Sequence, residues 1–387
     1  MIERLDGMER MVFAEEHEDF REVVARFYRE EIVPEYAAWE AAGAPPRDFW
    51  RRAGELGLLG LQIPEEYGGS GAETFLLNVI LTEECQAAGV ALGGLRVHTD
   101  ICMPYFLRYC TEEQRKRWMP RLVSGEAVAA LAMSEPGAGS DVKSLTTRAV
   151  REGDHYVVNG AKTFISNGSS ADLVITAVRT GAEGTREGIS LLVIEADTPG
   201  FHRGRNLPKL GLKAQDLTEL SFTDVRVPAE NLLGEEGRGF EYLTANLAQE
   251  RLSIAVNSQA AAAQALRTTL DYVRERKAFG TTVGAFQNTK FELAACATEV
   301  EAGQALLDRA LLLHEQGRLT GHDAAKVKLY CTELQGRVVD RCLQLHGGYG
   351  YMLEYPITRA YADARVSRIY AGSSEVMKVI IAKSMGL

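Results

Sequence analysis

The chain has 387 residues, of which 46% are hydrophobic and 25% charged, with a formal net charge of −10. This is the composition of a globular protein long enough for two or three domains and a large buried core. The acidic balance, with no long basic run, argues against nucleic-acid binding, so a bound anion needs a local cluster of donors.

In chain order, residues 1 to about 126 read as helices. The first twenty residues carry too many charges for a signal peptide. Phe20, Val23, Val24, Phe27 and Ile32 give a helical pattern over 15–33, which Pro34 stops. Further helices are expected over 47–58, 73–88 and 94–109, with a glycine-rich turn at 68–71. Thr111 and Gln114 form a capping box for a short helix before Gly125. Near Ala127 the period changes. Short β-rich segments follow at 146–151, 155–158, 162–166, 173–178, 189–194 and 217–225. They are separated by turn pairs such as Asn159-Gly160 and Asn167-Gly168. Strands without alternating helices indicate a β-sandwich or barrel, not a parallel nucleotide-binding sheet. From about Gly237 the pattern is helical again, over 239–277, 285–316, 323–345, 354–367 and 374–384, as in an up-down bundle. The predicted fold is therefore α+β and multidomain: an N-terminal α-helical domain over 1–126, a middle β-domain over 127–236 and a C-terminal α-helical bundle over 237–387. No stretch approaches the ~18 apolar residues of a membrane span.

Within the long helix, Leu243, Leu247, Glu250 and Ile254 share one face. A carboxylate on an apolar stripe is costly unless it is paired or has a task. An ion pair with a neighbouring helix and a chemical role are both open. The loop PGAGSD at 136–141 begins like a dinucleotide fingerprint, but Val142 stands where a third glycine is needed and strands follow. What remains is a plain turn, or a loop offering backbone N–H groups and the Ser134 and Ser140 hydroxyls to a ligand. In KTFISNG at 162–168, Phe164 and Ser166 are expected on one strand face, as a core Phe and an edge Ser or as a support for a flat heterocycle. Arg274, Arg276 and Lys277 close the long helix; they suit its dipole or a phosphate group. QLHGGYG at 344–350 is a glycine-dense helix break, and Ser373 or Ser374 is an N-cap for the last helix. Six cysteines form no CxxC pair, and the seven histidines show neither HxH nor HExxH. These patterns give no metal site and suit a reduced, cytoplasmic setting.

Each motif alone is weak, but their order is specific. PEEYGGSG, MSEPGAGSD, KTFISNG, QERL, RKAFG, QLHGGYGY and IYAGSSEVMK, in that sequence, resemble the acyl-CoA dehydrogenase family. The resemblance spans about 15–383. It implies helical, β and four-helix-bundle domains, usually in a homotetramer, with FAD as cofactor, an acyl-CoA as substrate and, by analogy, an electron-transfer flavoprotein as oxidant. The implied reaction is α,β-dehydrogenation, as in fatty-acid β-oxidation. A base takes the α-proton, the β-hydrogen leaves as hydride to flavin N5, and the thioester carbonyl is polarised.

Many family members carry the base directly after the IY of the last motif, where this chain has Ala371. A smaller branch, with the isovaleryl and long-chain types, carries it on the long helix in an ERL context, which Glu250 matches. Ala371 keeps its backbone N–H as a donor to the thioester. The resemblance further implies that Met133 and Ser134 line the flavin, with Phe164 and Ser166 beside it. Gly139 and Ser140 fall at cofactor contacts, Ser140 also at the acyl-CoA. Arg276, Phe279, Gln287, Gln344 and Gly348 hold the FAD pyrophosphate and adenosine from a neighbouring subunit, and Ser373 and Glu375 make further FAD contacts. Tyr370, Ala371 and Gly372 line the substrate, and Arg251 orients the helix beside it. Phe164 replaces a common tryptophan and Ala278 a common threonine. An acyl-CoA oxidase, a flavin monooxygenase of the same fold, or a non-catalytic acyl-CoA-binding protein are the alternatives.

Overall fold

A computed structural model describes residues 8–181 and 188–387. The first seven residues of the charged N-terminal stretch lie outside the described residues. The N-terminal helices are α1 (Glu15–Phe27), α2 (Tyr36–Ala42), α3 (Arg47–Glu55), α4 (Leu76–Ala87), α5 (Gly93–Arg96), α6 (Met103–Tyr109) and α7 (Glu112–Val123). The expected capping box is present at α7: the Gln114 N–H donates to Thr111 Oγ1 at 3.3 Å, and the Thr111 N–H to Gln114 Oε1 at 2.8 Å. Two expected helices are composite. α1 runs into a π-helical turn at Tyr28–Ile32, and a second π-helical segment, Val97–Cys102, joins α5 to α6. α2 was not expected from the sequence. It lies directly after Pro34 and ends at Gly43, whose φ of 85° terminates it in a left-handed cap.

The strands are β1 (Ala129–Ala132), β2 (Arg148–Glu152), β3 (His155–Ser166), β4 (Leu173–Arg179), β5 (Ile189–Glu195), β6 (Phe201–Asn206), β7 (Leu217–Pro228) and β8 (Leu232–Leu233). They form one mixed sheet in the order β6-β7-β3-β2-β4-β5-β8, with β1 parallel to β4. The two strands expected over 155–158 and 162–166 are one. Asn159-Gly160 is not a hairpin turn but the site of a register shift against β7, and the strand continues through it. A second register shift, between Lys162 and Ile165, breaks the simple alternation expected of Phe164 and Ser166. Lys162 and Thr163 are both buried, and Phe164 takes φ 58°. β6 escaped the sequence reading because only Phe201 of its six residues is buried; an exposed edge strand has no apolar period to read.

The bundle comprises α8 (Gly239–Glu275), α9 (Gln287–Glu315), α10 (Gly321–His346), α11 (Pro356–Ala364) and α12 (Ser374–Ser384), with a short hairpin, β9 (Lys277–Ala278) and β10 (Thr281–Thr282), after α8. α8 packs against α4, α9 and α10. Its residues 249–259 are buried on every side, so the apolar stripe read from the sequence is one flank of a central helix.

Candidate functional site

Glu250 sits in the fully buried turn of α8, 4% exposed. Its Oε1 accepts a hydrogen bond from the Tyr105 hydroxyl of α6 at 3.0 Å. Burial drives its pKa up from the ordinary carboxylate range to about 7. The Tyr105 hydrogen bond and the Arg251 guanidinium offset only part of that rise. The neighbouring-helix ion pair left open by the sequence does not form among the described residues; the partner there is a neutral hydroxyl. The Tyr105 hydroxyl stays protonated, its pKa raised by burial and then by the Glu250 charge. Arg251 is itself buried, and its Nε has no hydrogen-bond partner among the described residues.

α10 packs against α8 and, through Lys328, also reaches the segment 370–373. Ala371 and Gly372 both take left-handed conformations, φ 47° and 95°. A non-glycine residue in that region is strained and marks a place the surroundings over-determine. Lys328 Nζ of α10 donates to the Gly372 carbonyl at 2.8 Å. Ser373 caps α12, accepting from the Val376 N–H at 3.4 Å. The exposed Glu375 carboxylate is held below its usual range by its own backbone N–H and the Ser373 hydroxyl. Tyr370, Ala371, Gly372 and Ser373 are all half-buried.

The sheet contributes a second group. β1 leads into Met133 and Ser134, both half-buried, and the Ser134 carbonyl accepts from the Thr163 N–H at 3.0 Å. This ties the PGAGSD loop to β3 beside Phe164, which is 65% exposed. Glu135 organises the loop. It accepts from Lys162 Nζ at 2.8 Å, from the Thr146 N–H and hydroxyl at 2.6 and 2.8 Å, and from the Thr147 N–H at 2.9 Å. Gly139 and Ser140 are exposed in it. Ser166 accepts from Gln215 Nε2 at 2.7 Å. Gln215 belongs to the connection between β6 and β7, whose Leu212 N–H reaches Asp363 of α11 at 2.5 Å. That connection bridges the Ser166 side of the sheet to the helix leading to 370–373.

The third group lies at one end of the bundle. Arg276 follows α8 and its guanidinium stands over the Tyr349 ring, 4.9 Å from the centroid. Tyr272 of α8 stacks on His346 at 4.1 Å, which holds the Gln344–Gly348 break against the end of α8. Phe279, at the tip between β9 and β10, is 97% exposed with φ 52°. Gln287 opens α9; it, Arg276, Gln344 and Gly348 are exposed. Within the single chain, no described contact joins this group to the other two.

A cavity of about 50 Å³ lies between α4, the π-helical segment, α6 and α8, lined in part by Asn78, Thr99, Met103, Leu107 and Gln249. Beside it the buried Asp100 carboxylate accepts from Asn78, Thr99 and Ser253 at 2.8, 2.8 and 2.5 Å.

Three family descriptions match the chain end to end: the acyl-CoA dehydrogenase N-terminal domain over residues 14–126, the middle domain over 130–225 and the C-terminal domain over 237–386. The chain is 45% identical to the mitochondrial long-chain specific acyl-CoA dehydrogenase of Mus musculus, over 97% of this chain and 88% of that one. It belongs to the acyl-CoA dehydrogenase family. Among solved structures, an acyl-CoA dehydrogenase from Geobacillus kaustophilus is 48% identical with a TM-score of 0.96, covering 98% of this chain and all of that one. A glutaryl-CoA dehydrogenase from Mycobacterium smegmatis in complex with FADH2 is 27% identical with a TM-score of 0.89, over 97% and 95% of the two chains. The protein is thus an FAD-dependent enzyme of this family. The helical, sheet and helical succession expected from the sequence is the family's.

Sequence reading missed Tyr105, Lys328, Gln215 and the Glu135–Lys162 pair. Glu135 and Lys162 stood inside motifs already singled out, MSEPGAGSD and KTFISNG. Tyr105 and Lys328 carried no local signal, because their partners are 145 and 44 residues away in sequence.

Proposed function

We propose that the protein dehydrogenates an acyl-CoA thioester to the trans-2-enoyl-CoA, with Glu250 taking the α-proton. The observation that carries this is a buried carboxylate whose polar partner across the fold, among the described residues, is a neutral hydroxyl. A carboxylate titrating near 7 is ionised enough to accept a proton and basic enough to draw one from carbon. The strained Ala371 keeps an N–H free of any described protein partner, which suits a donor to the thioester oxygen as negative charge develops there. Tyr370 and Gly372 flank that donor, and Ser140 stands at the acyl-CoA entrance. Arg251 favours the ionised form of Glu250 by proximity.

The residues present fit FAD. Phe164 offers an exposed aromatic face beside the Met133–Ser134 backbone and the Ser166 hydroxyl. An added Cβ would meet nothing within 4 Å at Gly139 or Gly348, so backbone can approach a ligand there. Arg276, Gln287 and Gln344 supply a cation and two amides for the pyrophosphate and adenosine, with Phe279 as a flat cover. Ser373 and Glu375 stand at the far side. Bound FAD supplies the hydride acceptor. Phe164, Ala371 and Phe279 are three of the six non-glycine residues with positive φ among those described; backbone strain at these motif positions supports a ligand-shaped site.

The QERL context and the bundle-end aromatics support a straight- or branched-chain fatty acyl-CoA of the long-chain or isovaleryl type, in fatty-acid catabolism. We take the domains to be 1–126, 127–236 and 237–387. The exposed Phe279, Tyr351 and Leu353 support a homotetramer in which the bundle end of one subunit completes the flavin site of another. An electron-transfer flavoprotein is the proposed acceptor. Six free, buried cysteines support a reducing compartment, taken to be the cytoplasm. No helix among the described residues is long and apolar enough to cross a membrane.

The test is Glu250→Gln in the yellow holoprotein, mixed anaerobically with straight- and branched-chain acyl-CoAs. Flavin content is expected to persist while bleaching slows by at least about 100-fold. Wild-type bleaching rates in the variant would remove Glu250 as the base.

A further inference from the structure

The buried amine of Lys328 has no part in the chemistry above. The residue is 0% exposed, on α10 near Arg251 of α8, and no carboxylate among the described residues lies within ion-pair distance of it. A buried ammonium without a counter-ion is costly. Burial, and after it the nearby Arg251 guanidinium, press its pKa down to about 8, against the pull of Glu333 and Glu375. What the amine does touch is the Gly372 carbonyl, at 2.8 Å.

That carbonyl closes the left-handed pair Ala371–Gly372. The turn is pinned to α10 on both flanks by one residue. Glu333 accepts from the Arg368 guanidinium at 3.1 Å before the turn and from the Ser374 hydroxyl at 2.6 Å after it. Upstream, the Tyr370 N–H returns to the Val366 carbonyl at 3.2 Å. Between these anchors two residues remain in a left-handed conformation, and the Lys328 hydrogen bond is the one side-chain hydrogen bond described to their backbone. Without it, only the flanking anchors and the Met377 and Val376 side chains beside Gly372 oppose relaxation of Ala371 from φ 47° to a right-handed conformation, which would swing its N–H to a new direction.

We infer that Lys328 is a positioning residue that fixes the Ala371–Gly372 turn through the Gly372 carbonyl, and thereby aims the Ala371 N–H at the substrate thioester oxygen. The inference rests on the proposed acyl-CoA reaction. Lys328 itself stays on the protein side of the turn and touches no substrate. Because the donor is aimed at an oxygen that gains charge in the reaction, losing its alignment costs more in the transition state than in binding.

The experiment uses the FAD-loaded enzyme and a 3-aryl-acryloyl-CoA, whose absorption moves to the red when its carbonyl accepts hydrogen bonds. In Lys328→Met, with FAD content and unfolding midpoint recorded alongside, the red shift is expected to shrink. Anaerobic flavin reduction by acyl-CoA should slow about 10- to 100-fold, with KM changed far less than kcat. In Lys328→Ala, added methylammonium should restore part of both signals, and Lys328→Arg should retain more than Met. If Met or Ala folds with flavin bound and keeps the wild-type shift and reduction rate, the inference is overturned. If the Met and Ala variants do not fold, the milder Lys328→Gln variant decides: a wild-type midpoint with a reduced red shift supports the inference, whereas unchanged shift and rate with a lowered midpoint leave a structural role only and reject it. Glu250→Gln separates this from the reaction itself, since it should keep the red shift and lose reduction. A wild-type enzyme that produces no shift and no bleaching would count against the proposed reaction, not against Lys328 alone.

Discussion

Two glutamates in this fold are almost equally hidden, Glu250 in the bundle at 4% exposure and Glu135 in the sheet at 5%, and they are opposite in chemistry. Burial raises the pKa of each. At Glu135 the Lys162 charge and hydrogen bonds from Lys162, Thr147 and Thr146 overcome it and carry the carboxyl down to about 2. At Glu250 one tyrosine hydroxyl and an adjacent guanidinium fall short, and the carboxyl rests near 7. The difference lies in the partner, not the depth. An acid given a cation and three donors is locked as a charge and organises backbone; an acid given one neutral donor is left free to exchange a proton.

The largest expected effect breaks the locked member. Lys162→Met leaves the Glu135 charge buried with only its threonine partners and should cost about 3 kcal/mol or more. The measurement is the denaturant midpoint of the holoprotein. Glu135→Gln combined with Lys162→Met should recover much of the loss, because the pair is coupled. A single variant as stable as the wild type would mean that the loop, not the ion pair, carries Glu135.

The next effect has the opposite sign. The folded pKa of Glu250, about 7, lies above its ordinary value of 4.5. Between those values the native state binds the extra proton, so this group's stabilisation is fully present below pH 4.5 and is lost as pH rises through 7. Glutamine mimics the protonated acid at every pH. Glu250→Gln should therefore match the wild type in acid and exceed it by up to about 3 kcal/mol above pH 8. Thermal melts across pH 5 to 9 read this directly, and a stability gap that stays flat with pH would contradict the raised pKa.

The same comparison explains what could be read beforehand. Glu250 was legible because a helix advertises its faces every three to four residues, and because the family motifs around it are contiguous. The succession of helical, sheet and helical regions was legible for the same reason. The partner of each acid was not. Tyr105 lies 145 residues before Glu250, and Lys162 lies 27 after Glu135, across a bulge that breaks the strand period on which the expected Phe164–Ser166 face depended. The edge strand β6 and the short helix α2 were lost because neither buries enough of one face to leave a pattern. The strained turn at Ala371 was visible only as a missing base, since positive φ at a non-glycine residue has no signature in sequence.

The smallest effect tests the one donor, among the described residues, that separates Glu250 from an isolated buried acid. Tyr105→Phe removes the 3.0 Å hydrogen bond to Oε1 and keeps the ring that packs around it. A hydrogen bond from a neutral donor favours the ionised carboxylate, so its loss should raise the Glu250 pKa further, by on the order of one unit. At pH 7 the ionised fraction would fall from about half to about a tenth, slowing flavin reduction roughly fivefold. By pH 9 both enzymes should be ionised and their rates should converge. The acid limb of the pH profile, measured by stopped-flow bleaching, must therefore move to higher pH while the plateau holds. A lowered plateau with an unmoved limb would assign Tyr105 to holding the acyl chain rather than to tuning the acid. The contrast with Glu135 would then rest on Arg251 and burial alone.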